Sequence, residues 1–489
     1  MKKPASHPVQ DEEKDLHHIA ESDRIPFGEK VAYGMGEIGN KISAVPKALQ
    51  GQLFVMHLGM SPIYMTIAST IFSLWDAISD PVMGSISDNF RSRFGRRRPF
   101  IILGAILSAI VLPLLFLFDP SWSFPLILFY FVALGILFYT ADTVFNMPYQ
   151  SLLLEMTPDY NERTSISAYR GVLSKISQFF IGWIWAITQL PFFNDPVTGE
   201  PDTLAGLRAV SIAAALVILF MSPLPGIFCK ERYYHLATKQ KREPFFAGLK
   251  KTITCRPFLV LLGFVQALTI TTTAISAFGP FLLTYYVFGG SQSQASMMHG
   301  YGQTLATISG ILIVPLVVHY ARKTSKEKLI WYVMGSKVLL SISLWFCYNP
   351  DIPWLAVIPN FFNAPIMTAG WILLPSMLAD IVDIDELKTR ERREGNFSSI
   401  FSWNVKAAIT IGTAMTGPLL ILSGFDVKLG SAQTEEALFA MRLMMVSIPL
   451  VGAALCLLLL RFYPVNPASA REVREQLEAR RGMIEVKKD

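Results

Sequence analysis

About twelve stretches of roughly 20 mostly apolar residues follow one another along this chain, the length at which one helix crosses a bilayer. They fall near 36–58, 64–88, 100–118, 124–152, 169–190, 208–228, 257–286, 297–320, 329–348, 352–382, 397–423 and 437–462. The runs are continuous rather than alternating, which predicts spanning α-helices and not barrel strands. Only 16% of the 489 residues are charged, against about 25% in a soluble domain. A formal net charge of +6 suggests nucleic acid at first sight. The basic residues, however, sit in short islands between apolar runs, which is a membrane pattern and argues against a nucleic-acid partner. The 4 Cys show no metal-type or redox spacing.

The islands also set an expected orientation. Arg91, Arg93, Arg96, Arg97 and Arg98 lie between spans 2 and 3, Lys230 to Arg256 between 6 and 7, Arg322 to Lys328 between 8 and 9, and Lys388 to Arg393 between 10 and 11. The opposite loops hold almost none, so both termini are expected on the cytoplasmic side of a cell (inner) membrane. The expected organisation is a tail over 1–28 without an apolar leader, a six-helix bundle over 29–228, a basic linker over 229–256, a second bundle over 257–463 and a tail over 464–489. Ser469 and Glu472 in that last tail are spaced as a capping box. The halves echo one another: Pro148 to Glu155 leads to Arg163 as Pro375 to Asp380 leads to Arg390. Repeats of this kind suggest a transporter whose site lies between its halves.

Ionisable residues inside spans are costly, about 2.5–3.5 kcal/mol each on insertion scales. Here they are Glu37, Lys41, Lys47, Asp76, Asp80, Asp142, Arg170, Lys175, Lys337 and Lys406. They must face a cavity or one another. Asp76 and Asp80 are one turn apart, so their carboxylates share a face and repel unless a cation intervenes. They read either as a Na⁺ or H⁺ site or as a pair neutralised by Lys or Arg from another span. Asp142 and Asn146 repeat the spacing in span 4 with Thr143 between them, and Lys406 is the expected counter-charge to Asp142. Asp88 closes span 2 beside the Arg cluster. With Arg96, Arg97 and Arg163 it reads as a gate latch, the alternative being that these arginines only fix topology. No His spacing suits a metal, and no phosphate-binding loop suits ATP.

Trp75-Asp76-x-x-x-Asp80-Pro81-x-x-Gly84 followed by Arg93-Phe-Gly95-Arg96-Arg97-Arg98-Pro99 resembles the glycoside–pentoside–hexuronide:cation symporters of the major facilitator superfamily. Plant sucrose carriers share the arginine signature. The likeness continues at Tyr33-Gly34-x-Gly36, Asp159 to Arg163, Ala379 to Asp383 and Arg393 to Gly395, and ends at Lys406. It implies an all-helical, twelve-span facilitator fold of two six-helix bundles. It implies a cation site at Asp76 and Asp80 with Thr143, sugar contacts including Arg170 and Trp371, and a coupling role for Lys406. The chain departs from melibiose-type carriers in three places. Asn146 stands for a carboxylate, Gln150 for a sugar-stacking Trp, and Lys41 for a sugar-binding Asp.

The expectation is therefore a monomeric symporter, not an enzyme, with no cofactor beyond a coupling Na⁺ or H⁺. It would carry a sugar or sugar derivative held by Lys41, Gln150, Arg170, Trp371 and Lys406. An anionic saccharide such as a uronide would pair with Lys41 and Arg170; alternatively Lys41 pairs with Glu37 one turn away. A carrier of amphiphiles such as lysolipids, or a non-transporting sensor on a carrier fold, are the other readings.

Overall fold

The computed structural model describes residues 24–157, 159–232, 255–390, 393–463, 472–473 and 475–477. The leading tail, most of the basic linker and the Ser469 capping position lie outside the described residues. Among the described residues there are twelve long helices. They are α1 (Phe27–Ile42), α2 (Pro62–Asn89), α3 (Arg98–Leu114), α4 (Phe124–Met156), α5 (Tyr160–Thr188), α6 (Thr203–Met221), α7 (Arg256–Leu282), α8 (Gln292–Lys323), α9 (Lys326–Cys347), α10 (Ile358–Thr389), α11 (Glu394–Leu422) and α12 (Glu435–Leu460).

Eight of these helices are long and apolar enough by composition alone to cross a membrane. The other four are α1, α2, α3 and α5. Apart from the short α3, these are the helices that carry Glu37, Asp76, Asp80 and Arg170, whose charges lower their hydropathy. Two helices also begin nine residues before the apolar windows do. α1 starts at Phe27 rather than near 36 because its polar first turns are paired: Lys30 lies 2.8 Å from Glu162, and Glu29 lies 2.7 Å from Arg232. α5 starts at Tyr160 rather than near 169, with the Asp159 carboxylate accepting from the Glu162 N–H at 2.7 Å as its cap.

The helices that open the two halves end alike. After α1 the backbone breaks at Ser43–Ala44, just before Pro46, which has no N–H to donate. It then continues through a short helix (Val45–Ala48) into a wide turn over Gly51–His57. There the Leu58 N–H reaches the Leu53 carbonyl (3.0 Å) and Met60 reaches Phe54 (2.7 Å). α7 carries Pro280 and runs into the same kind of turn over Leu283–Val287. Its Phe288 reaches Leu283 (3.1 Å) and its Gly290 reaches Thr284 (2.8 Å). One sequence-distant geometry used twice is the structural counterpart of the faint internal repeat.

The halves join at one end only. α2 packs on α11, and α5 on α8. The Gly417 N–H donates to Thr66 Oγ1 (3.1 Å), Gln292 Nε2 to the Met56 carbonyl (3.2 Å) and Trp183 Nε1 to Thr304 Oγ1 (2.9 Å). All three lie at the end opposite the chain ends. There a single apolar core contains Leu53, Phe54 and Phe72 from the first half together with Phe278, Phe281 and Leu283 from the second. At the other end the core divides in two. One cluster around Tyr33, Phe145 and Tyr149 lies wholly in the first half, and another around Phe258, Leu373 and Phe397 lies wholly in the second.

Candidate functional site

Asp76 and Asp80 of α2 each meet a lysine. Lys47, brought round by the break after α1, places its Nζ 2.6 Å from Asp76 Oδ2 and 4.3 Å from the centre of the Tyr139 ring. Lys406 of α11 forms an ion pair with Asp80, a charged link between the halves. Thr143 Oγ1 donates to the other oxygen of Asp80 at 3.2 Å and lies 3.0 Å from Ser79 Oγ. The expected pairing of Lys406 with Asp142 is corrected here: α11 packs against α2 and not α4, so its lysine reaches α2 first. Asp142 has no cation within 4.0 Å among the described residues. Asn146 turns instead to Gln150, whose amide donates to it at 2.9 Å.

Glu37 gathers the cations that were expected to meet substrate. Lys41 lies 3.3 Å from one of its oxygens and Arg170 Nε 2.7 Å from the other, while Glu37 itself is 2% exposed. The pairing of Lys41 with Glu37 is therefore the arrangement observed. An anion held by Lys41 and Arg170 would first have to displace that carboxylate, so this part of the expectation does not stand in this conformation.

Between the halves lies a cavity of about 1040 Å³. Of the residues expected to hold substrate, Trp371 lines it; Lys41, Gln150, Arg170 and Lys406 do not. Its polar wall includes Lys47, Lys175, Lys337, Gln178, Gln303 and Asn363, and among the described residues no Asp or Glu lines it. Lys175 and Lys337 stand out in the sequence as charges within spans. Their position in the cavity is missed because neither has a partner at helical spacing that would reveal its direction.

At the end bearing the Arg-rich loop, Asp88 lies 3.1 Å from Arg97, and Arg96 and Arg97 both converge on Glu155 Oε1 with their Nε atoms at 3.0 and 2.5 Å. Glu231 completes the knot by accepting the backbone N–H of Arg96, Arg97 and Arg98 at 2.9, 2.9 and 3.1 Å, a carboxylate cap on α3. Gly95 is needed there. Its φ is +102°, and a Cβ on it would lie 2.6 Å from Glu231. Arg163 takes no part, donating to the carbonyls of Thr157 (2.8 Å) and Leu154 (3.4 Å). The described residues of the knot come from the first half and the start of the linker. The second half has its own version, with Lys326 at 2.8 Å from Asp380 and Arg393 at 2.6 Å from Asp385.

The profile of a family described as MFS/sugar transport protein matches residues 32–467. A Synechocystis protein named only as an uncharacterized symporter is 25% identical, covering 94% of this chain and 98% of its own. The isoprimeverose transporter of Lactiplantibacillus pentosus is 25% identical over 92% of this chain and 91% of its own. The sodium-dependent lysophosphatidylcholine symporter 1 of Xenopus tropicalis is 23% identical over 92% and 89%. Among solved structures, a bacterial homologue of the human lysosomal transporter Spinster, inward-facing and unoccupied, superimposes with a TM-score of 0.66 at 14% identity. It covers 90% of this chain and 98% of that one, a likeness that shows the fold.

Proposed function

We propose, from the premise that this chain belongs to the MFS/sugar transport protein family and is a multi-pass membrane symporter with the major facilitator fold, that it carries a sugar or sugar derivative together with Na⁺ or H⁺. The observation that carries this reading is the pair of lysine-occupied carboxylates, Asp76 and Asp80. Each carboxylate holds a mobile positive side chain, so a cation of the same charge can compete for it. An arriving cation competes with Lys406 for Asp80, and that competition loosens a charged link between the halves. The halves then rock about the cavity, so that its contents face one side or the other. As a single chain with both halves, it needs no second copy to complete the pathway.

With the Arg-rich loops placed in the cytoplasm, both termini lie there, and the closed end faces outward. The cavity then opens toward the cytoplasm of a cell (inner) membrane. The lysolipid reading draws on the Xenopus relative and on apolar residues that also line the cavity, Met65, Ile184, Leu283 and Met298; the lysines, glutamines and asparagine beside them support a cargo with polar groups.

The test is uptake into proteoliposomes of a panel of saccharides under separately imposed Na⁺ and H⁺ gradients. Asp76→Asn and Asp80→Asn are expected to abolish uphill accumulation while insertion stays normal. Undiminished accumulation by the double variant overturns the assignment of the ion site.

A further inference from the structure

The last helix of each half carries one arginine near its start at the sealed end, Arg208 on α6 and Arg442 on α12. Each reaches across to the third helix of its own half, α3 or α9, against which its helix packs. Arg208 finds two acceptors there. Its Nε donates to the Phe116 carbonyl at 2.8 Å and its Nη2 to the Phe118 carbonyl at 2.6 Å, just past the end of α3. Arg442 makes the corresponding approach to the end of α9 and is only partly satisfied. Its Nη2 donates to the Trp345 carbonyl at 3.1 Å, while its Nε is buried and has no partner among the described residues. The guanidinium lies 4.6 Å from the centre of the Tyr286 ring and 4.3 Å from that of Trp345. Both rings attract a cation, but neither neutralises it. Among the described residues no carboxylate lies within 4.0 Å, those of Glu435 and Glu436 in the first turn of α12 included. A charge this deep in a span is costly without an opposite one.

We propose that Arg442 holds the phosphate of an anionic phospholipid of the outer leaflet. With the sealed end facing outward, α9 ends and α12 begins at the outer membrane surface. Helical side chains lean toward the N-terminus, so Arg442, two turns inside α12, reaches back toward the headgroups. Trp345 and Tyr286 are the amphipathic rings that favour that level. Phe346 follows Trp345 on α9, Phe439 and Leu443 flank Arg442 on α12, and all three are exposed. On a spanning helix such residues meet acyl chains. The ligand that suits the place therefore joins an anionic group to an apolar tail; a phospholipid has both, a free anion only the first. Its phosphate supplies the charge that the guanidinium lacks and accepts charge-assisted hydrogen bonds from it. It also fastens α9 to α12 and, through Tyr286, to the wide turn after α7. Arg208, with Nε and Nη2 already on carbonyls, offers no equivalent site in the first half. The inference takes only the orientation from the reading above and is independent of what the cavity carries.

The experiment reconstitutes the purified full-length protein in bilayers of phosphatidylcholine and titrates in phosphatidylglycerol or further phosphatidylcholine, each brominated on its acyl chains, while tryptophan fluorescence is read. Bromine quenches an indole that it touches, so a lipid held at Arg442 dims Trp345. Brominated phosphatidylglycerol is expected to quench more than brominated phosphatidylcholine, and Trp345→Phe is expected to remove the excess. Arg442→Met should weaken the apparent affinity for phosphatidylglycerol about five- to tenfold, the worth of one cation beside an anionic headgroup. Arg442→Lys should keep part of the preference, and Arg208→Met should leave it unchanged. Melting temperature separates a misfolded variant from one that has lost its lipid. Equal quenching by the two lipids in the unaltered protein, or a correctly folded Arg442→Met that keeps the excess, overturns the proposal. So does an equal loss in Arg208→Met, which would reflect overall charge rather than a built site. Loss of the excess on adding soluble glycerol phosphate would show a site for free anions and overturn the lipid assignment; its persistence supports it.

Discussion

Replacing Lys406 by Met tests whether the coupling ion and the lysine compete for one carboxylate. The Lys406 side chain is 42% exposed and that of Asp80 14%. Unit charges about 4 Å apart attract by roughly 4 kcal/mol at an effective dielectric of 20. Solvent screening at a site this open reduces the net figure to about 1–2 kcal/mol, a factor of roughly 5–30 in an equilibrium constant. In Lys406→Met the coupling cation no longer has to overcome that attraction. Its half-saturating concentration is therefore expected to fall by about tenfold, measured calorimetrically on the purified protein. Uphill accumulation should be lost at the same time, because the charged link between halves no longer reports cation binding. Lys406→Arg should keep both properties closer to wild type, and Asp80→Asn with Lys406→Met should bind the cation poorly. Unchanged or weaker cation binding in Lys406→Met would refute the competition.

Two further outcomes follow from the packing. Glu155→Gln leaves the buried Arg96 and Arg97 without their shared carboxylate, which costs about 3–5 kcal/mol. In detergent this should lower the melting temperature by roughly 10 °C, and a shift under about 2 °C would show that Asp88 alone suffices. Gly417→Ala puts a Cβ 2.5 Å from the Pro62 carbonyl oxygen and against Thr66, so α2 and α11 can no longer close at that end. Spin labels at Val197 and Asp351, in loops at that end, should move apart; an unaltered distance would mean that the helices absorb the methyl group elsewhere.

The spans were legible because a bilayer demands continuous apolar length. The Asp76–Asp80 pair and the arginine signature were legible because fixed spacing on one helix fixes a shared face. What escaped is what depends on which helices become neighbours. Sequence offers no reason for Lys406 to prefer Asp80 over Asp142; the packing of α11 on α2 decides it. Glu231 carries no signal in the sequence; the fold alone brings it back onto the start of α3. Lys175 and Lys337 were visible as anomalies, but a lone charge in a span carries no direction, so their shared cavity could not be read. Lys41 shows the converse. Its helical-spacing partner Glu37 was visible, and that local pairing is the one the fold keeps.

The division of the apolar core, one cluster at the sealed end and two at the other, gives the transport cycle a slope. Turning the molecule over means parting Leu53 and Phe54 from Phe281 and Leu283 and wetting surfaces that now touch. Every 100 Å² so hydrated costs about 2.5 kcal/mol. Opening the sealed end is therefore work against the hydrophobic effect, which other contacts in the molecule must offset.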